Sequence, residues 1–153
     1  MFRFMNEMII RDLRESDLIN GFLDTLKSLT IVGEINPDEL KKRFKEIDSD
    51  PNYIIRVAEV EGKIVSSTTL VIEPKFIHNL GKVGHIEDAV TDKKFEGKGI
   101  ATKIIQSLLE EAKKRGCYKT ILDCDDELVS FYEKINYDGR SFHKHGSCMR
   151  FDH

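Results

Sequence analysis

Val83-Gly84-His85-Ile86-Glu87-Asp88-Ala89-Val90-Thr91 runs through Asp92-Lys93-Lys94-Phe95 into Glu96-Gly97-Lys98-Gly99-Ile100-Ala101-Thr102, and the change of period along this stretch decides the fold. Val83 to Thr91 reads as a strand. Beyond the glycines, Ile100, Ile104, Leu108 and Ala112 recur every four residues, flanked by Ala101, Ile105 and Leu109, the apolar face of a helix that Gly116 stops. A strand that turns through glycines into a helix converges the unpaired N–H groups of the first helical turn, and the helix dipole adds roughly half a positive charge. Gly97 and Gly99 let an anion approach the backbone, and Lys98 adds a cation. The plainer reading is a solvated loop that happens to carry glycines.

Two other phosphate motifs fail on spacing. A P-loop needs Lys-Ser or Lys-Thr after its second glycine, but Lys98 is followed by Gly99 and position 92 is Asp92. A dinucleotide fingerprint from Gly97 needs a small third residue where Thr102 stands, and belongs in a first β-α unit.

Outward from this stretch, Met8 to Arg14 reads as a strand and Ser16 as the cap of a helix carrying Leu18, Ile19, Phe22, Leu23, Leu26 and Leu29. Asn36-Pro37-Asp38-Glu39 opens a second helix with Leu40, Phe44 and Ile47. Tyr53 to Val60 and Ile64 to Ile72 flank Glu61-Gly62-Lys63 as a hairpin. Tyr118 to Cys124 is a strand, and Leu128, Phe131, Tyr132 and Ile135 mark a last helix. Tyr137 to Phe142 and Ser147 to Phe151 form a final hairpin around Lys144-His145-Gly146. The order is β-α-α-β-β-β-α-β-α-β with a possible further strand, which implies one α+β (mixed α/β) sheet covered by helices, in a single domain over 1–153.

Composition agrees with one domain. The 153 residues carry 24 Lys+Arg against 27 Asp+Glu, a net charge of −3, with 40% hydrophobic and 33% charged residues. That balance describes a soluble globule and argues against a nucleic-acid surface. Cys117, Cys124 and Cys148 are odd in number and form no Cys-x-x-Cys pair, so buried free thiols in a reducing compartment are expected. The segment Met1 to Ile10 is broken by charge and lacks a secretory pattern, and no apolar run approaches a membrane span, so a cytoplasmic protein without membrane contact is expected. His143, His145 and His153 lack supporting ligand spacing and read as a polar turn; no metal is assigned.

Glu96-Gly97-Lys98-Gly99-Ile100-Ala101 resembles the acetyl-CoA loop of the GNAT acetyltransferase superfamily, Gln/Arg-x-x-Gly-x-Gly/Ala, with Glu96 in place of the usual Gln or Arg. Leu29-Thr30-Ile31-Val32-Gly33, Lys75-Phe76-Ile77-His78, Gly84-His85-Ile86-Glu87-Asp88, Gly116-Cys117-Tyr118-Lys119, Leu122-Asp123-Cys124-Asp125 and Phe131-Tyr132-Glu133-Lys134 resemble the glucosamine-6-phosphate N-acetyltransferase family. These blocks span most of the chain. The resemblance implies a GNAT fold, a mostly antiparallel twisted sheet of about six to seven strands flanked by about four helices. It implies acetyl transfer from acetyl-CoA to the amine of D-glucosamine 6-phosphate, directly in a ternary complex, within UDP-N-acetylglucosamine biosynthesis.

It also implies roles for individual residues. Tyr132 is the leaving-group acid, where residues alone favour a core aromatic. Asp123 holds the amine and accepts its proton directly or through water, with Glu87 beside it, although a structural salt bridge is the plainer reading for strand carboxylates. Ala89, Val90 and Thr91 offer backbone to pantetheine and the acetyl carbonyl, and Gly97, Lys98, Gly99, Ile100, Ala101 and Thr102 hold the pyrophosphate. The sugar phosphate meets Thr30, Lys75, Phe76, Ile77, His78, Tyr118, Lys119 and Arg150, and the sugar faces Glu87, Asp88, Ala89 and Asp123; surface charge is the alternative for each lysine. The family forms homodimers in which both chains build the sugar sites, so Arg150 can act across the interface. Leu128 stands where the family has Asn, and Asn136-Tyr137 where it has Gly-Phe. Two other functions stay open at this point: a GNAT acting on another small amine or protein amine, and a catalytically weak acyl-CoA-binding module.

Overall fold

Tyr53–Val60 (β2) and Lys63–Pro74 (β3) form the hairpin at the centre of the computed structural model, which describes residues 7–153. Met1 to Asn6, the first part of the segment read above as non-secretory, lie outside the described residues. The β2–β3 turn uses Glu61 and Gly62 at φ 49° and 78°, the left-handed pair whose twist matches two antiparallel strands. Met8–Asp12 (β1) pairs antiparallel with β2, Lys82–Thr91 (β4) antiparallel with β3, and Cys117–Ile121 (β5) parallel with β4, giving the order β1-β2-β3-β4-β5. The parallel pair needs a crossover, and the helix Ile100–Lys114 supplies it. The described residues form seven strands, within the number the resemblance implies, but Asn136–Tyr137 (β6) and Arg140–Ser141 (β7) form a separate two-stranded ribbon.

Each face of the sheet has its own core. Ile100, Ile104, Leu108 and Ala112 of the crossover helix pack on Ile54, Ala58, Leu70, Ile72 and Ile86. On the other face Leu13, Leu18 and Phe22 cover Val57 and Ile64, with Leu40 and Phe44 half-buried beside them. β3 is buried from Ile64 to Leu70 because both layers lie on it. The described helices include none long and apolar enough to cross a membrane.

Three sequence-based boundaries differ from the structure. The first helix is a 3-10 segment Glu15–Ile19 followed by a short helix Phe22–Leu26 (α1), and it ends before Leu29. Gly21 divides them at φ 98°, and a Cβ there would lie 2.5 Å from the Ile64 carbonyl oxygen. The apolar spacing ran through a glycine that the hairpin forces out of the helix. Pro37–Asp48 (α2) forms as read, with the Asn36 Oδ1 accepting from the Asp38 and Glu39 N–H groups. β5 stops at Ile121 instead of Cys124, because its partner β4 leaves it there. The last hairpin turns at Asp138-Gly139, φ 54° and 72°, not at Lys144-His145-Gly146, and residues 142–153 form no strand. Asp-Gly is the stronger hairpin signal.

One charged cluster ties β1, β2 and the 3-10 segment. The Arg11 guanidinium donates to Asp17 at 2.7 and 2.8 Å and to Glu59 at 2.6 Å, and Asp17 is 3% exposed. Burial opposes ionisation of Asp17, yet bonds from Arg11 and from the Arg14 N–H outweigh it and hold the carboxyl below its ordinary range. Removing the cation strands a buried carboxylate, so Arg11→Met is expected to cost about 3–5 kcal/mol in urea unfolding. An unchanged midpoint would show that water reaches Asp17.

Candidate active site

The site begins where β4 loses a neighbour. β4 pairs with β5 only from Lys82 to His85, whereas its pairing with β3 continues to Thr91. Beyond His85 the β5-side edge of β4 has no strand partner among the described residues. In that stretch Glu87 faces Thr69 and Val90 faces Ser67, so β4 takes three steps where β3 takes two. The extra residue makes a bulge, with Asp88 at φ 48°, and a bulge turns backbone groups out of the ladder. The other edge is held firmly: the Ser66 hydroxyl donates to the Val90 carbonyl at 2.9 Å and lies 2.8 Å from the Thr91 hydroxyl. Thr68, between those two β3 positions, is fully buried with its hydroxyl unpartnered.

The strand leads directly to the anion-binding geometry expected from the sequence. Asp92 Oδ1 accepts from the Lys94 N–H and closes the turn into Lys93–Phe95. Gly97 and Gly99 have φ 73° and 76°, and a Cβ on either would meet nothing within 4 Å. The glycines are therefore required by backbone conformation, and the space above them is open. Gly99 caps the helix Ile100–Lys114 (α3) without a side-chain bond, and no acidic residue sits in its first turn. Its leading N–H groups at Ile100, Ala101 and Thr102 face no capping side chain. Glu96 is exposed, and the Lys98 ammonium lies 5.1 Å over the Phe95 ring.

Beyond β5, Val129–Glu133 (α4) holds Tyr132 half-buried, edge-on to Phe131 at 5.1 Å and Phe142 at 6.0 Å. Burial, then Cys124 and Asp123, push the phenol above its ordinary value, so it keeps its proton at neutral pH. Asp123, just past β5, is exposed and its Oδ2 lies 3.7 Å from the Cys148 sulfur. Burial, followed by the charges of Asp123 and Asp88, raises Glu87, while His85 opposes the rise. Glu87, Asp88 and Asp123 thus form one electrostatic cluster beside the bulge. It can hold a cationic amine.

The residues expected at the sugar phosphate are distributed over four segments. Lys75, Phe76, Ile77 and His78 occupy the β3–β4 connection, where His78, Asn79 and Leu80 lie at φ 50°, 58° and 60°. Three consecutive left-handed residues other than glycine are costly and mark functional or strained loops. His78 stacks on Tyr118 at 4.1 Å, and the Lys119 ammonium lies 5.8 Å over the same ring. Phe76 is 95% exposed. Thr30 is exposed after α1, and Arg150 bonds Asp152 at 2.6 Å in the last segment. Neither is joined by a hydrogen bond to Lys75, His78 or the carboxylates among the described residues.

Three features escaped the sequence reading. Burial, then the charges of Asp88 and Glu87, push the Tyr53 phenol above its ordinary value, while Arg43 opposes the rise. Glu73 bonds both Lys75 and His85. Their signal was period-two alternation, since Tyr53, Val71 and His85 share one register line and Ile55, Thr69 and Glu87 the next. The thiols also differ from expectation: all three are free, but Cys117 and Cys124 are half-buried and Cys148 is exposed. Among the described residues no group of three or more His, Cys, Asp and Glu forms a metal cluster. A half-open apolar cavity of about 390 Å³ lies under α1 and α2, with Ser67, Thr69 and Asp88 in its wall.

Residues 16–137 match the model of the Acetyltransferase (GNAT) family. The chain is 43% identical over 135 residues to a glucosamine 6-phosphate N-acetyltransferase of Arabidopsis thaliana, covering 86% of this chain and 91% of that one. It is 41% identical to the Candida albicans enzyme of the same name, covering 83% and 87%. The crystal structure of the Arabidopsis enzyme superposes with a TM-score of 0.85 over 95% of this chain and 99% of that one, at 41% identity.

The raised Glu87 carboxyl has a stability consequence. A carboxyl whose folded value lies above its unfolded one binds its proton more tightly when folded, so stability falls as pH rises from the ordinary glutamate value through the folded value. Glu87→Gln is therefore expected to raise the melting temperature at pH 7. The gain should disappear below the ordinary glutamate value; a gain independent of pH would contradict the cause.

Proposed function

Because the chain belongs to the GNAT acetyltransferase family, and within it to the glucosamine 6-phosphate N-acetyltransferases, we propose that it transfers the acetyl group of acetyl-CoA to the amine of D-glucosamine 6-phosphate. The products are N-acetyl-D-glucosamine 6-phosphate and CoA, a step towards UDP-N-acetylglucosamine. The observation that carries this reading is the free β4 edge lying between an uncapped helix N-terminus and a carboxylate cluster. Donor anion and acceptor cation each find the opposite charge, on two sides of one bulge.

Acetyl-CoA lies along that edge. Its pantetheine amides pair with the backbone of Ala89, Val90 and Thr91 as another strand would, and its pyrophosphate rests on the N–H groups of Gly97 to Thr102. A bulge N–H polarises the thioester oxygen. The amino-sugar nitrogen, with an ordinary value near that of an α-amine of about 8, needs modest help to lose a proton, and Asp123 accepts it directly or through water. The neutral amine attacks the carbonyl carbon in the ternary complex, the C–N bond forms, the C–S bond breaks, and Tyr132 gives its proton to the departing sulfur, the proton that the nitrogen sheds as it becomes an amide restoring the phenol.

Lys75, His78, Tyr118, Lys119 and Thr30 serve the 6-phosphate, with Glu87 and Asp88 toward the sugar. Arg150 completes the phosphate site across a homodimer interface. Among the described residues the outer edge of β5 pairs with no strand, and Tyr118, Ile121, Phe76, Ile77 and Leu80 are exposed around it, a surface that a second copy would cover. Free thiols and metabolite substrates fit a cytoplasmic setting.

Free thiol release is expected with acetyl-CoA and glucosamine 6-phosphate, and much less with unphosphorylated glucosamine. Turnover on a peptide amine without turnover on the sugar phosphate would replace this acceptor. Tyr132→Phe is expected to lower kcat roughly 10²-fold, the usual worth of a general acid, and leave acetyl-CoA binding nearly unchanged. Equal loss in both would return Tyr132 to a packing role.

A further inference from the structure

β3 ends in a carboxylate that the functional reading leaves without a task. Glu73 Oε1 accepts from the Lys75 ammonium at 2.8 Å and lies 3.0 Å from His85 Nε2. Lys75 opens the strained connection that carries His78. His85 is the last β4 residue paired with β5, two positions before Glu87 and on the same face. A single oxygen therefore links the proposed phosphate end of the acceptor trough to the foot of its carboxylate cluster. Glu73 is half-exposed, so this pair adds little to stability; what it fixes is position.

That position matters because a lysine ammonium is a point charge on a flexible four-carbon stem. Without the Glu73 carboxylate that stem is free to swing the ammonium into solvent, leaving the phosphate end without its cation. Three N–H donors let Lys75 keep one bond to Glu73 while offering the others to phosphate oxygens. Bonds from Lys75 and then His85 hold the Glu73 carboxyl below its ordinary value, so it is ionised at neutral pH.

We propose that Glu73 is a positioning residue that holds Lys75 at the 6-phosphate end of the acceptor trough, with His85 fixing the carboxylate from its other side. Discrimination for a phosphorylated amino sugar then depends on a side chain that does not touch it. This rests on the reading of Lys75 as a phosphate ligand, and the test separates the two. KM and kcat for glucosamine 6-phosphate, and KM for acetyl-CoA, are measured for the full chain and for Glu73→Ala, Glu73→Gln, Lys75→Ala and the Glu73→Ala/Lys75→Ala double variant.

Glu73→Ala is expected to raise the sugar-phosphate KM roughly tenfold, the worth of one charge-assisted bond, with kcat and the acetyl-CoA KM nearly unchanged. Glu73→Gln, which keeps an acceptor oxygen, should recover most of the loss. Adding Glu73→Ala to Lys75→Ala should add nothing, because the two act as one unit. A raised KM in Lys75→Ala with none in Glu73→Ala overturns the positioning role and leaves the phosphate reading standing. An unchanged KM in Lys75→Ala overturns both. A parallel rise in the acetyl-CoA KM of Glu73→Ala makes the residue structural and overturns the proposal.

Discussion

A strand inside a sheet must satisfy its backbone on two sides, and β4 does so for only part of its length. Up to His85 it has β3 on one side and β5 on the other; after His85 only β3 remains among the described residues. The bulge at Asp88 turns backbone away from the β3 ladder in the same stretch, and Ser66 pins Val90 from behind. Exposed strand edges are usually blunted, because unpaired N–H and C=O groups recruit whatever extended chain is available. Here the edge stays open between the α3 start and the end of β5. Every proposed role in catalysis refers back to that edge: the donor lies along it, the acceptor amine approaches its bulge, and Tyr132 closes it from the far side.

Much of the fold was legible because it is local. The β2–β3 hairpin, the Asn36-Pro37 helix start and the strand–glycine–helix passage each announce themselves through residues adjacent in sequence. The errors have a common cause, a local pattern overridden by a distant contact. Gly21 lies inside a good helical spacing, yet the backbone of Ile64 excludes a helix there. Leu122 and Cys124 suit a strand, yet β4 has already turned away. The Asp138-Gly139 turn is the exception, since its signal is local and stronger than that of the glycine at 146.

The site was less legible than the fold. Gly97 and Gly99 were identified for lacking side chains, whereas their positive φ is what the structure requires of them. Tyr132 carried no signal beyond its apolar neighbours until the family resemblance singled it out. Glu73 and His85 lie twelve residues apart, neighbours visible only once the register of β3 and β4 is known. Carboxylate clustering has the same character: Glu87 and Asp123 are far apart in sequence, and the splay of β4 from β5 puts them across one gap. The net charge of −3 averages over a cationic helix start and an anionic trough, so it describes neither.

The central claim is that the free β4 edge and the α3 start form one binding surface. Backbone amide exchange with and without CoA tests it residue by residue. Added CoA should slow exchange at amides from Ala89 to Thr91 and from Gly97 to Thr102, and leave the β2–β3 hairpin as it was. Protection that misses both segments, or that falls on α1 and α2 instead, would contradict it.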